Sequence, residues 1–311
     1  MALGELYAGY VINPSWELTP QILISPFSVS NMECFDPKTD CDIALGKEYL
    51  DKRFGNYKLA HKGRTAIAEV LNHYDLKSDD VITILTTSGI FYISSCVTKP
   101  IEKICKWSRK IEPKTKVIFV NHEFGYLYPD MKAVADLGYP IIEDCAHTFF
   151  TDGTKGDVGK YSDFVIYSLP KAFPMQIGGV ISSNKYQLVE DTIEPEFNYI
   201  LSKLSQYIPS LESSIEKRLQ VYHLFEEELK PIGIKPFFKL EDGTVPGVFL
   251  FRWNENIDYP KLKEFMQANG VESSVFYGEP AFYMPCNQYL TPGQCSYMVA
   301  LLRYYYEHQH D

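Results

Sequence analysis

No run of about 18 consecutive apolar residues occurs in the 311-residue chain, so no segment reads as a membrane-spanning helix. The opening residues Met1-Ala2-Leu3-Gly4-Glu5 lack a basic stretch followed by an apolar one, and no export signal is expected. Basic residues are outnumbered: 30 Lys and Arg stand against 40 Asp and Glu, for a net charge of −10. A nonspecific nucleic-acid binder would carry a basic stripe, so no nucleic-acid partner is expected. An anionic ligand is still allowed, because backbone N–H groups at one helix end bind phosphate inside an acidic protein. There is no CxxC pair. The seven cysteines, Cys34, Cys41, Cys96, Cys105, Cys145, Cys286 and Cys295, are odd in number and widely spaced. They read as reduced thiols of a cytoplasmic protein, forming neither disulfides nor a metal site. Internal repeats, low-complexity tracts and the glycine-rich dinucleotide and P-loop fingerprints are also missing, which counts against the common nucleotide-binding folds.

What is present is an ordinary globular composition, 45% hydrophobic and 23% charged. Residues 1–45, broken by Pro14, Pro20, Pro26 and Pro37, read as an irregular arm. From 46 to 190 strands and helices alternate. Apolar strands are expected at Val81–Thr86, Val117–Val120, Pro140–Glu143, Phe164–Ser168 and Gly179–Ser182. Helices are expected over Gly63–Leu76 and, capped by Asp130 and closed by Gly138, over Asp130–Leu137. The strands do not alternate strictly, as befits a sheet covered on both faces. The pattern predicts an α/β fold with a mainly parallel sheet. A linking helical region over 191–230 includes a long amphipathic helix at Ser213–Leu229. A smaller α/β domain over 231–311 has strands at Val248–Trp253 and Val271–Tyr277 and a helix at Pro260–Ala268. Its last helix starts at the capping box of Thr291 and Gln294.

Four short stretches could carry chemistry. Ile141-Ile142-Glu143-Asp144-Cys145-Ala146-His147 ends an apolar strand in an acidic pair and an imidazole, where open α/β sheets bind ligands. Taken alone, Asp144 is more readily a turn cap. Lys171 follows Ser168 at the end of another strand; a lysine in a partly dry pocket is a nucleophile towards carbonyls, though an isolated loop lysine is usually only solvated. Lys62-Gly63-Arg64 enters a helix whose unpaired N–H groups, with the guanidinium, suit an anion; a surface arginine at a helix start is the plainer reading. Thr86 to Tyr92 could floor a pocket for a flat ring, but core packing claims most aromatics. In order, these make an arrangement for pyridoxal 5′-phosphate (PLP): an anion site, an aromatic, a carboxylate for the pyridine nitrogen and a lysine for the aldehyde.

At these residues the chain resembles the DegT-type nucleotide-sugar aminotransferases, PLP enzymes of fold type I. Val120-Asn121-His122-Glu123-Phe124-Gly125 with Asp130-Met131 is similar to the family's V-H-L-Y-G and D-M. Pro140 to His147 resembles P-V-I-E-D-A-A-Q/H. Gly156-Asp157-Val158-Gly159 with Ser162-Asp163 resembles the glycine stretch before the lysine strand, and Lys171 with Gly178-Gly179 stands at the lysine and its glycine pair. The resemblance implies that Lys171 is the Schiff-base lysine and proton carrier. Asp144 would pair with the pyridine nitrogen, and His147 would lie near the ring hydroxyl. Ser168, Gly63 and Arg64 would bind the phosphate. Tyr92, with Phe91 as the alternative, would stack on the ring, and Asn198 would reach the phosphate of the neighbouring subunit in a homodimer.

This chain departs from the family pattern in places. Two residues, not four, separate Ser168 from Lys171. The phosphate motif is Lys62-Gly63-Arg64 rather than S-G-T. Ile200 replaces the usual arginine beyond Asn198, and the stretches 88–114 and 275–291 are short. The implied function is transfer of an amino group, with glutamate as donor, to a keto-sugar nucleotide for surface polysaccharide synthesis. The alternative, supported by the altered spacing, is a catalytically silent scaffold of the same fold that binds a ligand or partner.

Overall fold

The strand-forming runs between Tyr57 and Ser182 are rich in Val and Ile, and most of their side chains are buried on both faces of one sheet. The computed structural model describes residues 4–13, 21–28, 43–155, 158–253 and 256–308. Pro14, Pro20, Pro37, Cys34, Cys41, Gly156 and Asp157 lie outside them. The chain divides into two compact units, one of Met1–Ser28, Glu212–Asp242 and Pro246–Asp311, the other of Val29–Leu211 with Gly243–Val245. Among the described residues no helix is long and apolar enough to cross a membrane.

In chain order, a short hairpin of β1 (Glu5–Tyr7) and β2 (Tyr10–Ile12) comes first. The larger unit then runs α1 (Ala44–Phe54), β3 (Tyr57–Ala60), α2 (Gly63–Asn72), β4 (Val81–Thr86), α3 (Ser95–Glu102), β5 (Lys106–Ser108), β6 (Thr115–Asn121), α4 (Met131–Ala135), β7 (Ile141–Asp144), α5 (Phe149–Lys155), β8 (Phe164–Ser168), β9 (Gly179–Ser182) and α6 (Glu194–Tyr207). Its seven strands lie in the order β3-β9-β8-β7-β6-β4-β5. All but β9 run the same way; β9 is antiparallel to both its neighbours. This is the mainly parallel sheet expected from the alternating pattern.

Helix α2 buries the stripe Ala66, Ile67, Val70 and Leu71 against Ile82, Ile84, Val117, Phe119, Ile142 and Ile166. Helix α4 starts where Asp130 accepts a hydrogen bond from the Ala133 amide at 2.9 Å; it ends at Ala135, shorter than expected, and the turn after it closes at Gly138, whose φ of +78° suits glycine. Arg53 of α1 donates to Asp152 Oδ2 (2.9 Å) and the Phe149 carbonyl (2.6 Å) of α5, and the Tyr167 hydroxyl donates to the same Asp152 oxygen at 2.7 Å. A mostly buried ion pair thus fastens both helices to β8, with hydrogen bonds to offset its desolvation.

The smaller unit continues with α7 (Leu211–Leu229), β10 (Ile234–Pro236), β11 (Phe249–Trp253), α8 (Tyr259–Ala268), β12 (Ser274–Val275), β13 (Phe282–Met284) and α9 (Pro292–His308). Its antiparallel sheet has the order β10-β11-β13-β12. Tyr222, Phe225, Phe249, Phe251 and Phe282 fill the core. The expected strand Val271–Tyr277 is shorter than read. Gly270 adopts φ +80° and the Val271 amide donates back to the Met266 carbonyl, so the helix end uses the donor a strand would need. Thr291 and Gln294 form the expected capping box, exchanging bonds of 2.9 and 3.2 Å.

Candidate active site

Four neighbouring parallel strands of the larger unit end in polar residues: Thr86, Asn121, Asp144 and Ser168. Thr86 pairs in register with Asn121, and Asn121 with Asp144; Ser168 extends two residues beyond Ile166, the partner of Asp144. The carboxyl edge of the sheet is therefore polar where its body is apolar, as at ligand sites of open α/β folds.

Asp144 is 3% exposed. Its Oδ2 accepts a hydrogen bond from Asn121 Nδ2 at 2.7 Å and its Oδ1 one from the Ala146 amide at 3.0 Å. Burial pushes its carboxyl above the ordinary value of 3.8; the Ala146 and Asn121 hydrogen bonds and nearby His122 oppose this without cancelling it. The two donors fix the carboxylate, and each oxygen retains a lone pair for a further donor. Asn121 was legible only as part of a motif; its role follows from strand register.

Behind Asp144 lies a second buried network. The Tyr128 amide donates to His122 Nδ1 at 2.8 Å, so Nε2 carries the ring proton and donates to Glu143 Oε2 at 2.8 Å. Glu143 Oε1 accepts from the Gly159 amide at 3.0 Å. Donor atoms of His122, Glu143 and Cys145 lie within 4.8 Å of one another. Both imidazole nitrogens are already used, so the trio serves as a hydrogen-bonded support and not as a metal centre.

Beside Asp144, backbone segments converge on Ser168. A Cβ built on Gly63 would stand 3.1 Å from Ser168 Cβ and 3.5 Å from Ser168 Oγ. A side chain here would press on the strand end, and glycine lets the first turn of α2 approach it without that contact. The Gly178 amide donates to the His61 carbonyl at 2.8 Å, and the Leu169 amide donates to the Gly178 carbonyl at 2.9 Å. Gly178 has φ +135°, and a side chain there would meet Leu169 Cβ at 3.2 Å. Lys171 closes the short turn Leu169–Lys171 immediately after Ser168. The two-residue spacing from Ser168 is thus one tight turn held by Gly178. Gly178→Ala is expected to cost about 1–3 kcal/mol, because the backbone must be forced and Leu169 displaced. Urea unfolding of the variant measures this.

Arg64, next to Gly63, places its Nη2 3.1 Å from Cys96 Sγ at the start of α3. The charge of Lys171 also acts on that thiol, so Arg64, Cys96 and Lys171 share one neighbourhood. Tyr92 is half-buried on the loop after β4. Its alternative, Phe91, is 72% exposed and turns its ring towards Trp107 on the sheet edge, with centroids 6.1 Å apart. Arg109, which sequence reading passed over, braces this loop by donating to Thr86 Oγ1 (2.9 Å) and the Ile90 carbonyl (2.5 Å). Glu123 accepts from the Ser88 amide at 2.6 Å. His147 is half-buried, its ring 5.5 Å from that of Phe124, a residue in the left-handed region at φ +53°. Asn198 lies on α6; among the described residues its side chain forms no hydrogen bond, while Glu196 on the same helix meets His61 Nδ1 at 2.9 Å.

A search of curated proteins finds no match. Solved structures do match. The PMP form of Spr1654 from Streptococcus pneumoniae superposes with a TM-score of 0.66 at 14% identity, covering 95% of this chain and 98% of that one. The aminotransferase TlmJ from Streptoalloteichus hindustanus gives 0.64 at 12%, covering 84% and 90%. A DegT DnrJ EryC1 StrS aminotransferase from Brucella abortus gives 0.64 at 15%, covering 85% and 90%. At these identities the likeness is one of fold. The resemblance read from the motifs is borne out as well: over residues 103–194, the stretch that holds Asn121, Asp144, His147, Ser168 and Lys171, the chain matches the DegT/DnrJ/EryC1/StrS aminotransferase family, on the fold type I architecture of solved aminotransferases.

Proposed function

We propose that the chain is a PLP-dependent aminotransferase of the DegT type, transferring an amino group from glutamate to a keto-sugar nucleotide in the cytoplasm for surface polysaccharide synthesis. The observation that carries this reading is the buried Asp144 carboxylate, fixed by Asn121 and Ala146, on the strand next to the one that leads into Lys171. The close approach of Gly63 to Ser168 fits a phosphate, since it brings the N–H groups of a helix start to a hydroxyl. When bound, PLP supplies an electron sink that the side chains lack. Asp144 holds the proton on the pyridine nitrogen. Gly63, Arg64 and Ser168 bind the phosphate, Tyr92 packs on the ring, and His147 orients its hydroxyl. Lys171 Nζ would hold the cofactor through its aldehyde and would carry the proton that amino transfer requires. A screen of keto-sugar nucleotides with glutamate, read as amino-sugar formation, tests the activity; no product from any of them contradicts it.

Two consequences are measurable. The ionised carboxylate is the form of Asp144 that holds the pyridinium. PLP affinity should therefore be full above the raised value of its carboxyl and should fall as pH drops through it, at a pH above the ordinary 3.8. PLP titrations across this range check the sign, and Asp144→Asn should remove the step. Asn198 is assigned to the neighbouring subunit's phosphate, so the protein should sediment at about twice its 35.7 kDa chain mass. A monomer with full PLP occupancy would contradict the shared site.

A further inference from the structure

One face of α6 grips the chain on both sides of the bond that closes the lysine turn. Glu196 and Tyr199 stand three residues apart on this helix, so their side chains share a face. Glu196 Oε1 meets His61 Nδ1 at 2.9 Å, and the Tyr199 hydroxyl accepts a hydrogen bond from the Gln176 amide at 3.0 Å. Between His61 and the segment of Gln176 runs one backbone bond, from the Gly178 amide to the His61 carbonyl at 2.8 Å. The Gly178 carbonyl in turn accepts from the Leu169 amide and so closes the turn that ends in Lys171. The chain between Lys171 and Gly178 is held unevenly. Ala172, Phe173 and Met175 are buried, with the Phe173 ring set among those of Phe149, Phe150 and Tyr207. Gln176 is exposed, and the Tyr199 hydroxyl is the group that fixes its amide.

We infer that Tyr199 is a positioning residue for Lys171, acting through Gln176 and Gly178 to set where the lysine turn stands. This rests on the assignment of Lys171 as the cofactor lysine. Tyr199→Phe removes the hydroxyl and keeps the ring. Water takes over the Gln176 amide, because Gln176 is exposed, so no buried donor is left unpaired and the fold is kept. A fixed partner is nevertheless exchanged for a mobile one, and the Gly178 bonds to His61 and Leu169 open more often. A proton carrier held less firmly loses rate in the step it serves, while substrate binding is unaffected.

The test uses the whole protein in two states. Without cofactor, amide hydrogen exchange is followed by NMR: in Tyr199→Phe the Leu169 and Gly178 amides should exchange on the order of tenfold faster than in the parent. Saturated with PLP, the protein is mixed with glutamate and loss of its visible band is timed. In Tyr199→Phe the maximal rate should fall on the order of tenfold, with the half-saturating glutamate concentration within about twofold of the parent's. Glu196→Ala, which releases the other side of the same grip, should show both effects. Tyr207→Phe gives up only a long bond of 3.4 Å to the Pro174 carbonyl and keeps its ring on Phe173, so it should stay within about twofold in both measurements. Unchanged exchange at Leu169 and Gly178 in Tyr199→Phe overturns the inference. So does a maximal rate within twofold of the parent's, or a loss that Tyr207→Phe matches, which would assign it to the general packing of α6. A parent that shows no visible band with PLP, or a band that glutamate does not discharge, overturns the reading on which the inference rests, and the inference with it.

Discussion

Lys171→Ala is expected to lower amino transfer by at least about 10⁴-fold while leaving the fold intact. The lysine is asked both to hold the aldehyde carbon and to move the proton, and loss of one general acid–base group alone removes on the order of 10²–10⁴. The turn that carries it is fastened by backbone bonds, Leu169 to Gly178 and Gly178 to His61, and by the buried Leu169 side chain. Those backbone bonds remain in the variant, so the turn should persist, and the unfolding midpoint shows whether the loss of activity exceeds any loss of stability. Steady-state turnover on the productive sugar, with thermal unfolding as the control, measures both. Activity within tenfold of the parent would remove Lys171 from the mechanism.

Asp144→Asn is expected to lower turnover on the order of 10²–10³-fold, with a much smaller change in PLP affinity. The shape at the end of β7 is almost kept, but the charge that holds the pyridine proton is lost. The two donors on Asp144 add a structural consequence. An amide in place of the carboxylate turns its NH₂ towards either Asn121 Nδ2 or the Ala146 amide, leaving two donors face to face. Asn121 can relieve this by turning its own amide over, which limits the stability loss to about 1–3 kcal/mol. A fall in turnover no larger than the fall in affinity would mean that Asp144 positions the ring without acting on its electrons.

The sheet was legible because its central strands are apolar runs closed by polar residues; Thr86, Asp144 and Ser168 mark its carboxyl edge. The shorter outer strands were not. Tyr57–Ala60 and Lys106–Ser108 have three or four residues with charge among them, and only pairing with β9 and β4 makes them strands. The same limit applies to the site. Asp144, Ser168 and Lys171 could be singled out from local pattern. Asn121 acquires its place in the site from register with Asp144, 23 residues away. Arg109 crosses back to the loop after β4, and nothing around it in sequence marks that contact. Gly178 lay on the glycine pair already noted, but its reason, close packing on Leu169 at φ +135°, depends on tertiary geometry.

The central claim is that Lys171 is the residue to which PLP attaches. Borohydride reduction of the PLP-loaded protein, followed by peptide mapping, tests it most directly. The account predicts a single pyridoxyl mass on the peptide carrying Lys171, lost in Lys171→Ala. A label on another lysine with Lys171 unmodified, or a protein that takes up no label and shows no visible absorbance with PLP, would contradict it.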